Sequence, residues 1–289
     1  MSVGESRAGS ELPAAVGVQG GGRMGAGIAH TFLVGGSAVV LIEQDARSVD
    51  AASARVRDSL RKTDQHGGLS ASVDEVLQRL VCTTKTELLA EVEIIIEAVP
   101  EVLSLKHEVL REIERVAPDA VLATNTSSLS VTELSEGLMR PARLVGMHFF
   151  NPVPVSALVE VVAGAHTDPG LVAQVLAWVA ALHKTGIVVR DVAGFATSRL
   201  GVAIALEAIR MVEEGVASVE DIDTAMTLGY RHQMGPLKTT DVVGLDVRLL
   251  IAQQLEAQLG PRFTPPDLLR QKVVKGQLGR KAGQGFYSW

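Results

Sequence analysis

The first half of the chain alternates short β-branched runs with longer stretches in which apolar residues recur every three or four positions. This is the pattern of βαβ units wound into a parallel sheet. It predicts strands at residues 15–18, 38–43, around Val81, 93–99, 120–124 and 144–149, with later members at 158–162 and 186–189. Helices are predicted over 46–62 and 104–116, and Ser72 with Glu75 form a capping box ahead of Val76-Leu77.

Beyond Val189 the strand signal disappears. Helical periodicity then runs over 195–212, 218–228 with Ser218 and Asp221 as caps, 238–259 and, after Pro265-Pro266, 268–274. The expected organisation is α/β: a tail over 1–13, a Rossmann-type, mostly parallel sheet domain over 14–190, and an all-helical C-terminal domain over 191–289. Gly35-Gly36 and Gly67-Gly68 read as turns after helices.

Composition narrows the function classes. A hydrophobic fraction of 47% with 21% charged residues is that of a folded protein with ample core. The net charge of -6 and scattered Lys and Arg argue against a nucleic-acid partner. No apolar run is long enough to span a bilayer. Residues 1–12 lack the order of a secretory or transit leader. Cys82 is the single cysteine, which suits a reducing compartment, and a cytoplasmic location is expected.

The strongest chemical signal is Gly20-x-Gly22-x-x-Gly25, with Arg23 and Met24 inside it, between the first strand and a helix. Glycines there permit a tight turn, close approach to a pyrophosphate and close helix packing, with the helix N-terminus facing the anion. Glu43, at the end of the next strand, stands where a carboxylate accepts ribose hydroxyls and repels a 2′-phosphate; NAD is favoured over NADP, with Arg47 as the opposing feature.

Asn125-Thr126-Ser127-Ser128 and His148-Phe149-Phe150-Asn151 each follow a strand, so their polar groups emerge where open α/β sheets bind ligands. The first tetrapeptide could equally cap the following helix. His148 is a candidate general base. Glu160 interrupts the apolar run 158–162 and is costly there unless paired; it either orients His148 or faces solvent from an edge strand. The other histidines have no metal-ligand spacing, and no metal is expected.

Together these motifs resemble the 3-hydroxyacyl-CoA dehydrogenase family, over residues 15–289. Further matches are Gly25-Ala26-Gly27-Ile28-Ala29, Gly194-Phe195, Met234-Gly235-Pro236, Gly279-Arg280-Lys281 and Gly285-Phe286-Tyr287. The resemblance implies NAD-dependent oxidation of a 3-hydroxyacyl thioester, or its reverse, and a homodimer formed through the helical domain. It implies His148 as base with Glu160 as its partner, Ser127 and Asn151 at substrate or nicotinamide, Asn125, Glu101, Lys106 and Lys281 at the cofactor, and Ser59 at coenzyme A. Three positions depart from the pattern. Ser198 stands where the family has an asparagine near the substrate carbonyl, Glu43 where aspartate is common, and His66 where a relative has a lysine near the coenzyme A phosphate. An acyl-carrier-protein thioester or another 3-hydroxy acid is the alternative substrate, and a non-catalytic NAD-binding relative is a third reading.

Overall fold

The computed structural model describes residues 11–289; most of the tail expected over 1–13 lies outside them. Its last residues are tied down, since the Pro13 carbonyl accepts from Ser37 Oγ at 2.7 Å and Leu12 packs on the core. The chain divides into two compact units after Asp191.

The first unit contains β1 (Ala15–Gln19), α1 (Arg23–Val34), β2 (Ala38–Ile42), α2 (Ala46–Gln65), α3 (Val73–Leu77), β3 (Leu80–Thr83), β4 (Ile94–Glu97) and α4 (Leu103–Val116). It continues with β5 (Val121–Thr124), α5 (Val131–Ser135), β6 (Leu144–Phe149), β7 (Leu158–Ala163), α6 (Pro169–Ala181) and β8 (Thr185–Arg190). All eight expected strands form, and they make one sheet in the order β3-β2-β1-β4-β5-β6-β7-β8. Only the β6–β7 pairing is antiparallel.

The strand runs are buried because helices cover them: Val16, Val18, Ile94 and Ile96 have no exposed surface and pack in one core with Ile28 and Phe32 of α1. The chain reverses from β2 to β1 to β4, which places a topological switch point between β1 and β4. Ser72 caps α3 reciprocally with Glu75, as the spacing predicts.

The second unit holds α7 (Thr197–Glu213), α8 (Val219–Thr224), α9 (Pro236–Val243), α10 (Leu245–Leu259) and α11 (Asp267–Val274) around Leu206, Ile209, Leu237 and Leu255. Three expectations change here. The helix expected over 238–259 is two helices, because Gly244 has φ +106°, where an α-helix cannot continue. The helix expected over 218–228 leaves α geometry after Thr224 and closes with a wider π turn over 225–229. The helix expected from 195 starts at Thr197, since Gly194 and Phe195 both have positive φ.

Candidate active site

The glycine fingerprint forms the turn from β1 into α1. Gly20 has φ +96°, and a Cβ on Gly25 would collide with the Gly20 carbonyl, so only glycine allows α1 to start this close to the strand. The turn is held from two sides. Glu43, just past β2, accepts from Gly21 N at 2.7 Å, and Arg55 on α2 donates to Gly21 O at 3.1 Å. A Cβ at Gly22 meets nothing within 4 Å, and no side chain caps α1.

A cavity of about 900 Å³ therefore opens on the α1 N-terminus, lined by Gly22, Arg23, Met24, Glu43, Arg47 and Val99. Backbone N–H groups for a pyrophosphate and a carboxylate beside a strand end for a ribose are what a dinucleotide requires, so the residues present fit NAD.

Across the switch point lies a second constellation. Glu97 ends β4 with no exposed surface and accepts from Val99 N at 2.7 Å, Thr124 Oγ1 at 2.6 Å and Lys106 Nζ at 2.7 Å. Lys106, 1% exposed on α4, also reaches the Val99 carbonyl at 3.2 Å and Glu101 Oε2 at 3.3 Å. Glu101 Oε1 in turn accepts from Thr126 Oγ1 at 2.6 Å, Ser127 N at 2.9 Å and Ser128 N at 3.0 Å. Burial raises the Glu101 carboxyl, but the Thr126 hydroxyl, the Lys106 charge and the serine donors together hold it below its ordinary value.

The antiparallel β6–β7 pairing sets His148 directly opposite Glu160. His148 Nδ1 lies 2.7 Å from Glu160 Oε2, with the carboxylate fully buried and the imidazole 9% exposed. Glu160 thus faces inward, against the reading of a solvated edge residue. The Phe150 ring packs on His148 with centroids 4.4 Å apart. Asn125 Oδ1 accepts from Phe149 N at 2.9 Å, joining the ends of β5 and β6.

A further cavity of about 1190 Å³ runs along α1 and α2, and Arg23, Arg55, Ser59, Lys62, His66 and Asn151 all line it. Lys184 donates to the Val153 and Ser156 carbonyls, each at 2.7 Å, and so fixes the segment after Asn151. His30 also lines this cavity; burial, with the Lys184 charge added, pushes its imidazole down to about 4. Of the expected site residues, all but two are in the first unit. Ser198, in the first turn of α7, and Lys281, whose ammonium pairs with Asp246 at 2.7 Å, belong to the helical unit.

Lys106, expected at the cofactor, is 1% exposed: its ammonium donates to Glu97 and to the Val99 carbonyl and pairs with Glu101 at 3.3 Å. Sequence reasoning also missed Glu97. The signal was present, since Glu97 closes the apolar run Ile94-Ile95-Ile96 much as Glu160 interrupts its own. Arg55 and Lys184 had no comparable signal, because their partners are backbone carbonyls distant in sequence.

Comparison with known proteins agrees with this geometry. Residues 15–192 match the profile of the 3-hydroxyacyl-CoA dehydrogenase NAD binding domain, and residues 194–289 match that of the C-terminal domain. A 3-hydroxybutyryl-CoA dehydrogenase of Mycobacterium tuberculosis is 40% identical over 279 residues, covering 95% of this chain and 98% of the relative. The mitochondrial hydroxyacyl-coenzyme A dehydrogenase of Homo sapiens is 36% identical over 94% of this chain and 90% of its own length. The solved structure of (S)-3-hydroxybutyryl-CoA dehydrogenase from Ralstonia eutropha superposes with a TM-score of 0.92 at 37% identity, covering 96% of this chain and 99% of that one. On matches that span both units, the chain belongs to the 3-hydroxyacyl-CoA dehydrogenase family.

Proposed function

We propose that the protein oxidises a 3-hydroxyacyl thioester to the 3-ketoacyl thioester, or catalyses the reverse, with NAD as hydride carrier. The observation that carries this reading is the His148–Glu160 pair at the carboxyl end of β6, in the same sheet as the nucleotide-binding turn. Bound NAD supplies the hydride acceptor or donor. The imidazole supplies the proton chemistry. With Nδ1–H donated to Glu160, Nε2 takes the proton-accepting role and receives the carbinol proton as hydride leaves. Glu160 fixes this tautomer and offsets the positive charge that His148 then carries. In the reductive direction the same atom returns the proton.

Ser127, Asn151 and Ser198 are the proposed substrate-contacting residues, and Glu43, Glu101 and Asn125 serve the cofactor side. The Ser59 cavity suits an anionic carrier arm, since Arg23, Arg55 and Lys62 line it against one acid, Asp58. Coenzyme A is the proposed carrier. His66, which also lines this cavity and stands where a relative has lysine, favours a second reading in which the carrier is an acyl carrier protein. No helix among the described residues is long and apolar enough to cross a membrane, and the one cysteine is free; we place the enzyme in the cytoplasm, as a homodimer.

The deciding experiment is NADH oxidation with acetoacetyl-CoA, run beside NADPH and beside the acetoacetyl group on a carrier protein. Turnover with NADH and the CoA ester is expected. Turnover only on the carrier protein would support the second reading, and none on either, with NADH still bound, would overturn both.

A further inference from the structure

We propose that Gln19 reads the adenine base of the dinucleotide: its carboxamide accepts a hydrogen bond from the exocyclic amine of adenine and donates one to the neighbouring ring nitrogen. The inference rests on the NAD-dependent reading above. Gln19 is the last residue of β1 and the only polar side chain of that strand. Val16 and Val18 pack in the core with α1, so alternation turns Gln19 to the opposite face, in register with Ile42 of β2 and Glu97 of β4. Its Oε1 is buried and finds no hydrogen-bond donor among the described residues.

Such an orphan is costly. A buried acceptor without a donor forfeits the bonds water would have given it, and an apolar side chain at the end of β1 would avoid that loss. Glu97 does not account for it, because a carboxylate has no proton to give, and it is itself taken up by Val99, Lys106 and Thr124. The surroundings do. Gln19 lines the nucleotide cavity together with the apolar side chains of Ile42, Ala98, Leu105 and Val109, and Glu43 stands in the same cavity. Glu43 serves the adenosine ribose, and the base is bonded to that ribose, so the base falls in this cavity too. Apolar walls suit the faces of a purine, but telling one purine from another takes a polar group at its edge. A carboxamide matches the edge of adenine where the amine and a ring nitrogen lie side by side, as glutamine pairs with adenine in nucleic acids. Because Oε1 has no partner, turning the carboxamide into the cavity breaks no bond at that atom.

The test is binding to the intact protein by NADH fluorescence, with deamino-NADH, in which hypoxanthine replaces adenine, as the second ligand. Hypoxanthine has a carbonyl oxygen in place of the amine, so the same edge presents two acceptors. The wild type is expected to bind NADH about fivefold more tightly than deamino-NADH. Q19L keeps most of the bulk of the side chain and removes both polar atoms. It should erase the preference by weakening NADH, and ADP measured by displacement, about fivefold without weakening deamino-NADH. Equal affinity of the wild type for the two dinucleotides, equal weakening of both by Q19L, or a loss confined to NADH with ADP unchanged would overturn the proposal. The wild-type comparison decides the matter alone if Q19L does not fold. The expected preference in a protein without thioester turnover would leave this inference standing and sink the thioester reading, whereas a wild type that binds neither dinucleotide would sink both.

Discussion

At His148 and Glu160 the burial of the carboxylate makes the pair decisive. A glutamate without exposed surface is tolerable only with a partner, and the imidazole 2.7 Å away is that partner. His148→Ala should lower kcat by about 10²- to 10⁴-fold while NADH still binds; full turnover would remove His148 from the mechanism. Glu160→Gln should cost on the order of 10²-fold or more in kcat, since the imidazole loses its orienting charge. The pair was legible because a charged residue in an apolar strand demands an explanation, and the same logic applied to Glu97 reveals its network.

His30 was not legible, because its environment comes from Thr63 and Lys184, far away in the chain. Its imidazole titrates at about 4 in the fold against 6.5 for a free histidine. The folded state thus binds fewer protons than the unfolded chain between these values. The stability contribution is complete above pH 6.5 and is lost as pH falls toward 4. That loss amounts to roughly 2 kcal/mol after allowance for water access. Urea unfolding at pH 7 and 4.5 should show a smaller pH-dependent loss for His30→Gln than for the wild type; identical losses would refute the assignment.

Among the elements, strands were read most accurately, since β-branched runs bounded by turns leave little choice. The helical unit was harder. Apolar spacing continues from α9 into α10, so periodicity reports one helix, and the break at Gly244 lies in a backbone angle that periodicity does not encode. Gly244→Ala should destabilise the protein by about 1–3 kcal/mol, because φ +106° strains any side chain. Gly201 on α7 is the control. An added Cβ there meets the Arg248 guanidinium at 3.5 Å, an ordinary contact, so Gly201→Ala should stabilise by roughly 0.5–1 kcal/mol. Thermal unfolding of the two variants should shift in opposite directions, and a shared direction would discredit the helix-break argument.

The closing motif has a physical explanation that its sequence does not show. Fully buried Asp241 on α9 accepts from Phe286 N, Tyr287 N and Trp289 Nε1, each at 2.8 Å, and a Cβ on Gly285 would strike its carboxylate. One carboxylate thus anchors the last turn of chain to the helical unit. Asp241→Ala would leave three donors unpaired, at a cost on the order of 3 kcal/mol.

For the whole molecule, the change from strand to helical patterning after Val189 was visible in the sequence, and β8 closes at Arg190 with the units dividing after Asp191. Assembly is a different matter, because periodicity marks apolar faces without saying what covers them. In the helical unit, Leu200 and Ile204 on α7 and Val247 and Leu250 on α10 are solvent-exposed apolar residues on helices that pack together. Single exposed leucines are ordinary, but several on adjoining helices form the kind of surface that a second copy covers. A homodimer of the 30.5 kDa chain is therefore expected in sedimentation or light scattering. Leu200→Glu combined with Leu250→Glu should shift the protein toward the monomer mass, since two carboxylates would have to be desolvated in the interface. The glycine turn and Glu43 belong to the first unit, so the variant should retain NADH binding; a wild type that sediments as a monomer, or a double variant that remains a dimer, would place assembly elsewhere.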